Sequence, residues 1–137
     1  MTLSEDDRLV AAELLDAVTG RLLTQLCFRT GVRLDFDGAH RPELTIECPL
    51  VVTAPDGRTW SGEPFSPDAA RELLELRLSR LTSTSIGADG SLSLTIGATH
   101  LHVPVSQEFE AWQLRQDNGV FIVSMPGGGI AIWSANS

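Results

Sequence analysis

At 137 residues, with 42% hydrophobic and 20% charged side chains, the chain has the length and composition of one globular domain. No apolar run approaches the roughly 20 residues of a membrane helix, and Ser4, Glu5, Asp6 and Asp7 are acidic or neutral where a secretory leader is basic, so a cytoplasmic protein with no membrane partner is expected. The formal net charge is −8 and all ten basic residues are arginine, which disfavours nucleic acid as a partner and removes every lysine chemistry from Schiff bases to P-loops.

Ser4 reads as the cap of a helix, with Glu5, Asp6 and Asp7 at the positive end of its dipole. Leu9, Val10, Ala12, Leu14, Leu15 and Val18 recur at near-helical spacing, and Gly20 ends it. From Arg21 the period changes to two. Leu22, Thr24, Leu26 and Phe28 form one side of a strand. Val32, Leu34 and Phe36 alternate with Arg33, Asp35 and Asp37, which predicts Phe36 inward and both aspartates toward solvent. Residues 37–42 read as a loop. Residues 44–52 read as one strand in which Pro49 marks an edge position or a bulge. Pro55-Asp56-Gly57 is a turn signal, and a short strand around Trp60 returns from it.

Ser66 and Pro67 open a second helix that carries Leu73, Leu74 and Leu76 and fades near Leu78. Residues 82–86, 92–96 and 101–105 alternate as strands around the turns Ala88-Asp89-Gly90 and Gly97-Ala98. Three further strands follow at 111–115, 120–125 and 130–133, separated by Asp117-Asn118-Gly119 and by Pro126-Gly127, where a type II turn requires a positive φ at Gly127. The run Gly127-Gly128-Gly129 joins strand to strand with no lysine, so it is a turn that admits another backbone rather than a phosphate cradle. The sum is an α+β fold, mainly an antiparallel sheet of about eight or nine short, strongly curved strands with two helices. One domain covers residues 1–137, with the helix of residues 1–20 readable as an extension.

The C-terminal pattern resembles an uncharacterised family of small actinobacterial proteins, a domain of unknown function. The resemblance rests on Gly90-x-Leu92, Leu101-x-Val103-Pro104, Phe109-Glu110-Ala111-Trp112, Gly119-Val120, Met125-Pro126-Gly127-Gly128 and Ala131-x-Trp133. The family pattern carries tyrosine where this chain has Phe109. The resemblance implies no activity and no cofactor. At the level of fold analogy it points to small proteins that act as immunity partners of bacterial toxins.

Candidate sites are few. His100 and His102 stand two apart, so both rings leave one strand face, and with Glu108, Glu110 or His40 they could hold a metal. Nothing fixes that third ligand, so no metal site is expected. There is no Gly-x-Ser-x-Gly elbow, and Cys27 and Cys48 sit in apolar runs as small buried thiols rather than as a disulfide. Trp112 and Trp133 are expected in the core, which would make Trp133→Ala severe, at about 3–5 kcal/mol. Trp60 is the candidate exposed anchor, against the alternative of a lid on the second helix. Trp60, Asp35, Asp37, Asp56 and Glu63 are therefore the expected partner-binding residues. The leading expectation is a non-enzymatic protein-binding module, an immunity or inhibitor partner of a basic protein. A small metal-dependent or hydrolytic enzyme using His100, His102 and a carboxylate is the second, and a homodimer paired through a sheet edge the third.

Overall fold

The computed structural model describes residues 5–133. The first helix, α1 (Glu5–Asp16), is followed by a turn in which Gly20 takes a φ of 94°, a left-handed conformation that glycine adopts without strain. Ser4, expected as its cap, lies outside the described residues. Ala11, Leu15 and Val18 are each no more than 1% exposed, because spacings of four and three put them on one side of the segment.

Five strands follow: β1 (Leu23–Phe28), β2 (Val32–Phe36), β3 (Glu43–Ile46), β4 (Leu50–Thr53) and β5 (Thr59–Gly62). After α2 (Pro67–Leu74) come β6 (Leu81–Ile86), β7 (Leu92–Ile96), β8 (Thr99–Val103), β9 (Trp112–Arg115), β10 (Phe121–Ser124) and β11 (Ile130–Trp133). Among the described residues the fold is α+β with two helices, but it has 11 strands in two antiparallel sheets rather than eight or nine in one. The larger sheet has the order β1-β2-β3-β9-β10-β11 and the smaller β5-β4-β8-β7-β6, and neither closes on itself.

The second sheet and one of the additional strands share a cause. The stretch expected as a single strand through Pro49 is two: β3 pairs with β2 and β9, and β4 pairs with β5 and β8. Proline has no N–H for a ladder, and here it sits where the chain leaves one sheet for the other.

Alternation then builds one core between the sheets. Val32, Leu34 and Phe36 of β2, Leu44 and Ile46 of β3, and Trp112 and Leu114 of β9 are buried from one side. Leu50, Val52, Leu92, Leu94, Ile96, Leu101 and Val103 are buried from the other. Arg33 and Asp35 are only half-buried and Asp37 is exposed, as the period of two in β2 predicted. Ser124 is the exception on the inner side: its hydroxyl is fully buried and has no hydrogen-bond partner among the described residues.

The sheets are tied at two places. Leu22 and Arg80 form an isolated antiparallel bridge, flanked by the Gly20 N–H to the Leu81 carbonyl at 2.7 Å. At the other end of β6, the Asp89-Gly90 turn lies against the Gly127-Gly128 turn. A Cβ on Gly90 would fall 2.7 Å from the Gly128 carbonyl oxygen, and one on Gly128 would fall 2.8 Å from that of Asp89. The helix α1 packs on both β6 and β11 and so spans the two sheets. Ser66 caps α2 through its hydroxyl, which accepts the Ala69 N–H at 3.2 Å, and Pro67 occupies the first turn as expected.

The turn between β10 and β11 has the geometry expected of it. The Gly128 N–H reaches the Met125 carbonyl at 3.1 Å and Gly127 has a φ of 84°. The two glycine turns separate conformational strain from crowding. Gly127→Ala meets no atom within 4 Å and should cost about 1 kcal/mol, the left-handed penalty alone. Gly90→Ala carries a similar φ of 92° and also drives two backbones apart, so it should cost at least about 2–3 kcal/mol. Urea denaturation of the two variants checks this; equal losses would contradict the close approach.

Candidate functional site

The five residues expected to bind a partner do not gather on one surface. Asp35 faces outward from the larger sheet and holds Arg33 in a two-point contact, Nε to Oδ1 at 2.8 Å and Nη2 to Oδ2 at 3.1 Å. That hydrogen bonding, and then the carboxylate charge, push the Arg33 guanidinium above its usual pKa. Asp37 accepts the Leu22 N–H at 2.8 Å, which anchors the approach to β1. Asp56 is in the turn of the smaller sheet, where it accepts the Arg58 N–H at 3.0 Å. Trp60 on β5 is half-buried and packs against the core, with the edge of its ring beside Gly62. Glu63 is exposed just beyond β5.

His100 and His102 project from the outward face of the smaller sheet, as their spacing predicted. His102 Nδ1 lies 3.0 Å from the Ser93 hydroxyl, and His100 Nδ1 lies 3.4 Å from that of Thr95. Among the described residues no three of His, Cys, Asp or Glu come together as metal ligands. The Ser93–His102 contact resembles half of a nucleophilic dyad. It lies on β7 and β8, interior strands paired on both sides, whose backbone N–H groups serve the ladder and are not available to stabilise an oxyanion. Asp89, in the turn before β7, has its carboxyl held below the usual range. The Ser91 hydroxyl is the largest cause, the Ser91 N–H at 2.9 Å comes next, and the His102 charge adds a smaller part.

The two cysteines are free. Cys48 is buried, and burial pushes its thiol up in pKa. Cys27, expected to be buried too, is half-buried on the outward face of the larger sheet opposite Arg33.

That outward face carries the arrangement with most chemical content. Strand register places Gln25, Asp35, Glu43, Arg115, Phe121 and Trp133 in one row across all six strands. Carboxylates stand at one end and aromatic rings at the other. The Arg115 guanidinium lies 4.3 Å over the Phe121 ring centroid, within reach of the ring's negative face. Phe121 in turn meets Trp133 at 5.3 Å between centroids and 31° between planes. Trp133 is 55% exposed, which overturns its expected place in the core. The reason is the pleat: Ile130 and Ile132 face inward, so Ala131 and Trp133 face outward. Trp112 is the fully buried tryptophan, and its indole N–H donates to the Gly90 carbonyl at 3.2 Å.

Two depressions border the carboxylate end. One of about 250 Å³ is lined by Arg41, Glu43, Arg115 and Asp117, and one of about 260 Å³ by Gln25, Asp35, Arg41 and Glu43. They share Arg41 and Glu43 and so adjoin along the row. Their rim is the loop between β2 and β3, where His40 and Arg41 hold left-handed φ values of 67° and 45°. Such conformations cost on the order of 1–3 kcal/mol each and persist only when tied down. The Asp117 N–H bonds the His40 carbonyl at 2.9 Å, His40 Nδ1 lies 3.5 Å from the Asp117 carboxylate, and Arg21 donates to the Ala39 carbonyl.

The chain belongs to a family of unknown function, DUF6188, whose model matches residues 14–134. No curated protein and no solved structure matches it. Among the described residues no helix is long and apolar enough to cross a membrane.

Two measurements follow from this geometry. Trp112→Ala should destabilise by about 3–5 kcal/mol as a buried large-to-small change, whereas Trp133→Ala should lose only about 1 kcal/mol of ring contact; chemical melts in which the two variants match would refute the assignment of core and surface. For Asp89 the folded pKa lies below the ordinary 3.8. Its charge therefore stabilises the fold above the unfolded pKa, and that part is lost as pH falls through the folded value. Asp89→Asn keeps the acceptor and removes the titration. The stability of the parent over this variant should be constant at neutral pH and shrink below about pH 4; a difference independent of pH would contradict it.

Proposed function

We propose that this member of the family is a non-enzymatic protein-binding module that docks a basic partner on the outward face of its six-stranded sheet. The Arg115–Phe121–Trp133 ladder is the observation that carries the reading. Tryptophan and arginine dominate the energetics of protein interfaces, because large rigid rings lose little freedom on binding and exclude water around them. Here Arg115 and Trp133 each contact Phe121, and the three side chains are at least partly exposed on the strands leading to the β11 edge. A net charge of −8 gives long-range attraction toward a basic partner. The two free cysteines suit a reducing compartment such as the cytoplasm. An inhibitor or immunity protein that covers a basic surface is the role these features fit together.

The test uses the purified protein and two variants as affinity bait, followed by calorimetric titration of whatever purified partner the parent retains. A partner of opposite net charge should bind the parent stoichiometrically and bind Trp133→Ala at least about tenfold more weakly. Trp60→Phe, on the smaller sheet, should leave the affinity within about twofold. A parent that retains nothing, or a partner that binds the parent and Trp133→Ala equally, would overturn the proposal.

A further inference from the structure

We infer that the partner presents an extended segment across the strands, with an arginine or lysine four residues from a bulky apolar side chain. This deepens the reading above and rests on it. The row of outward side chains is polarised: Asp35 and Glu43 lie on β2 and β3, and Phe121 and Trp133 lie on β10 and β11. Asp35 is already held by Arg33 and Asp117 is beside His40; Glu43 makes no ion pair among the described residues, its charge adding only a minor part to the field on Arg33. Glu43 also lines both depressions, so it is the carboxylate placed to receive an incoming cation. Arg115 separates the two halves. Its charge over the Phe121 ring excludes a second cation from the aromatic end, which is left to an apolar side chain.

Spacing follows from sheet geometry. Neighbouring strands lie about 4.8 Å apart, so Glu43 is about 10 Å from Phe121 and about 14 Å from Trp133 along the row. An extended segment rises about 3.3 Å per residue and alternates faces with a period of two, so a step of four residues, about 13 Å, turns both side chains to the sheet and matches the distance to Trp133. A cation at one end of that step meets Glu43 while the apolar side chain covers the rings.

The probe is the blocked peptide acetyl-Arg-Gly-Ser-Gly-Phe-amide, titrated into isotope-labelled protein with the Trp133 indole and Glu43 amide resonances as readouts. Saturable shifts at both positions are expected. Glu43→Arg should weaken binding by about tenfold, and acetyl-Glu-Gly-Ser-Gly-Phe-amide should regain it on that variant, which also shows that the variant is folded. Glu43→Gln, a milder change, should give an intermediate loss. The unspaced peptide acetyl-Arg-Phe-amide should bind several-fold more weakly than the spaced one. No saturable shift, or equal affinity of Glu43→Arg for both charge forms, would overturn the inference. A reversible dimer of the parent in sedimentation, lost in Trp133→Ala, would also overturn it and assign the face to a second copy of the chain. If the peptides fail while a protein partner still depends on Trp133, the docking face stands and only the segment chemistry falls.

Discussion

The indole of Trp112 is the point from which both sheets take their position. It is fully buried on β9, between β3 and β10, and its one donor reaches out of its own sheet to the Gly90 carbonyl of the other. A buried indole N–H without a partner loses its hydration with no return, so the pair of sheets is held where that bond can form. Gly90 and Gly128 permit it, because the two turns approach at distances no Cβ would allow. The Ser124 hydroxyl, on β10 beside β9, shows the opposite case: a polar group buried with no partner among the described residues, tolerated at some loss of stability.

Fixing β9 fixes the outward row as well. Arg115 is the last residue of β9, and its register with Glu43 on one side and Phe121 on the other is set by the same ladder bonds that place Trp112 inward. The row is therefore presented by paired strands rather than by a loop, which keeps it rigid before any partner arrives. The helix α1 lies against β11, the edge strand of the larger sheet. The left-handed pair His40 and Arg41 stores strain at the rim of that face, held by the hydrogen bond from Asp117.

Much of the fold was legible in local chemistry. Pro55-Asp56-Gly57, Ala88-Asp89-Gly90 and Asp117-Asn118-Gly119 are all hairpin turns, each with its glycine at positive φ. The alternation in residues 32–36 gave the correct inward face. Pro49 was misread because a missing N–H has the same signature at an edge, a bulge or a change of sheet, and only long-range pairing separates these. Hydrophobicity alone places Trp133 in the core, whereas the period of two in Ile-Ala-Ile-Trp puts the ring on the alanine side. The ladder itself was not legible, since Arg115, Phe121 and Trp133 lie on three strands and meet only through register. Trp60 and Asp56 stand close in sequence; in the fold Trp60 is half-buried against the core and Asp56 accepts a turn hydrogen bond.

The corner at Pro49 also bears on how the molecule forms. Three residues, Glu47, Cys48 and Pro49, separate a strand inside the larger sheet from a strand inside the smaller one. The neighbour of β3 on one side, β9, comes from far along the chain, as does the neighbour of β4, β8. Neither sheet can complete its pairing until the second half of the chain has arrived, and when it does the short link lets the order of one sheet propagate to the other. Such a topology rewards few contacts early and many late, which belongs to slow, all-or-none folding rather than to assembly from separate halves.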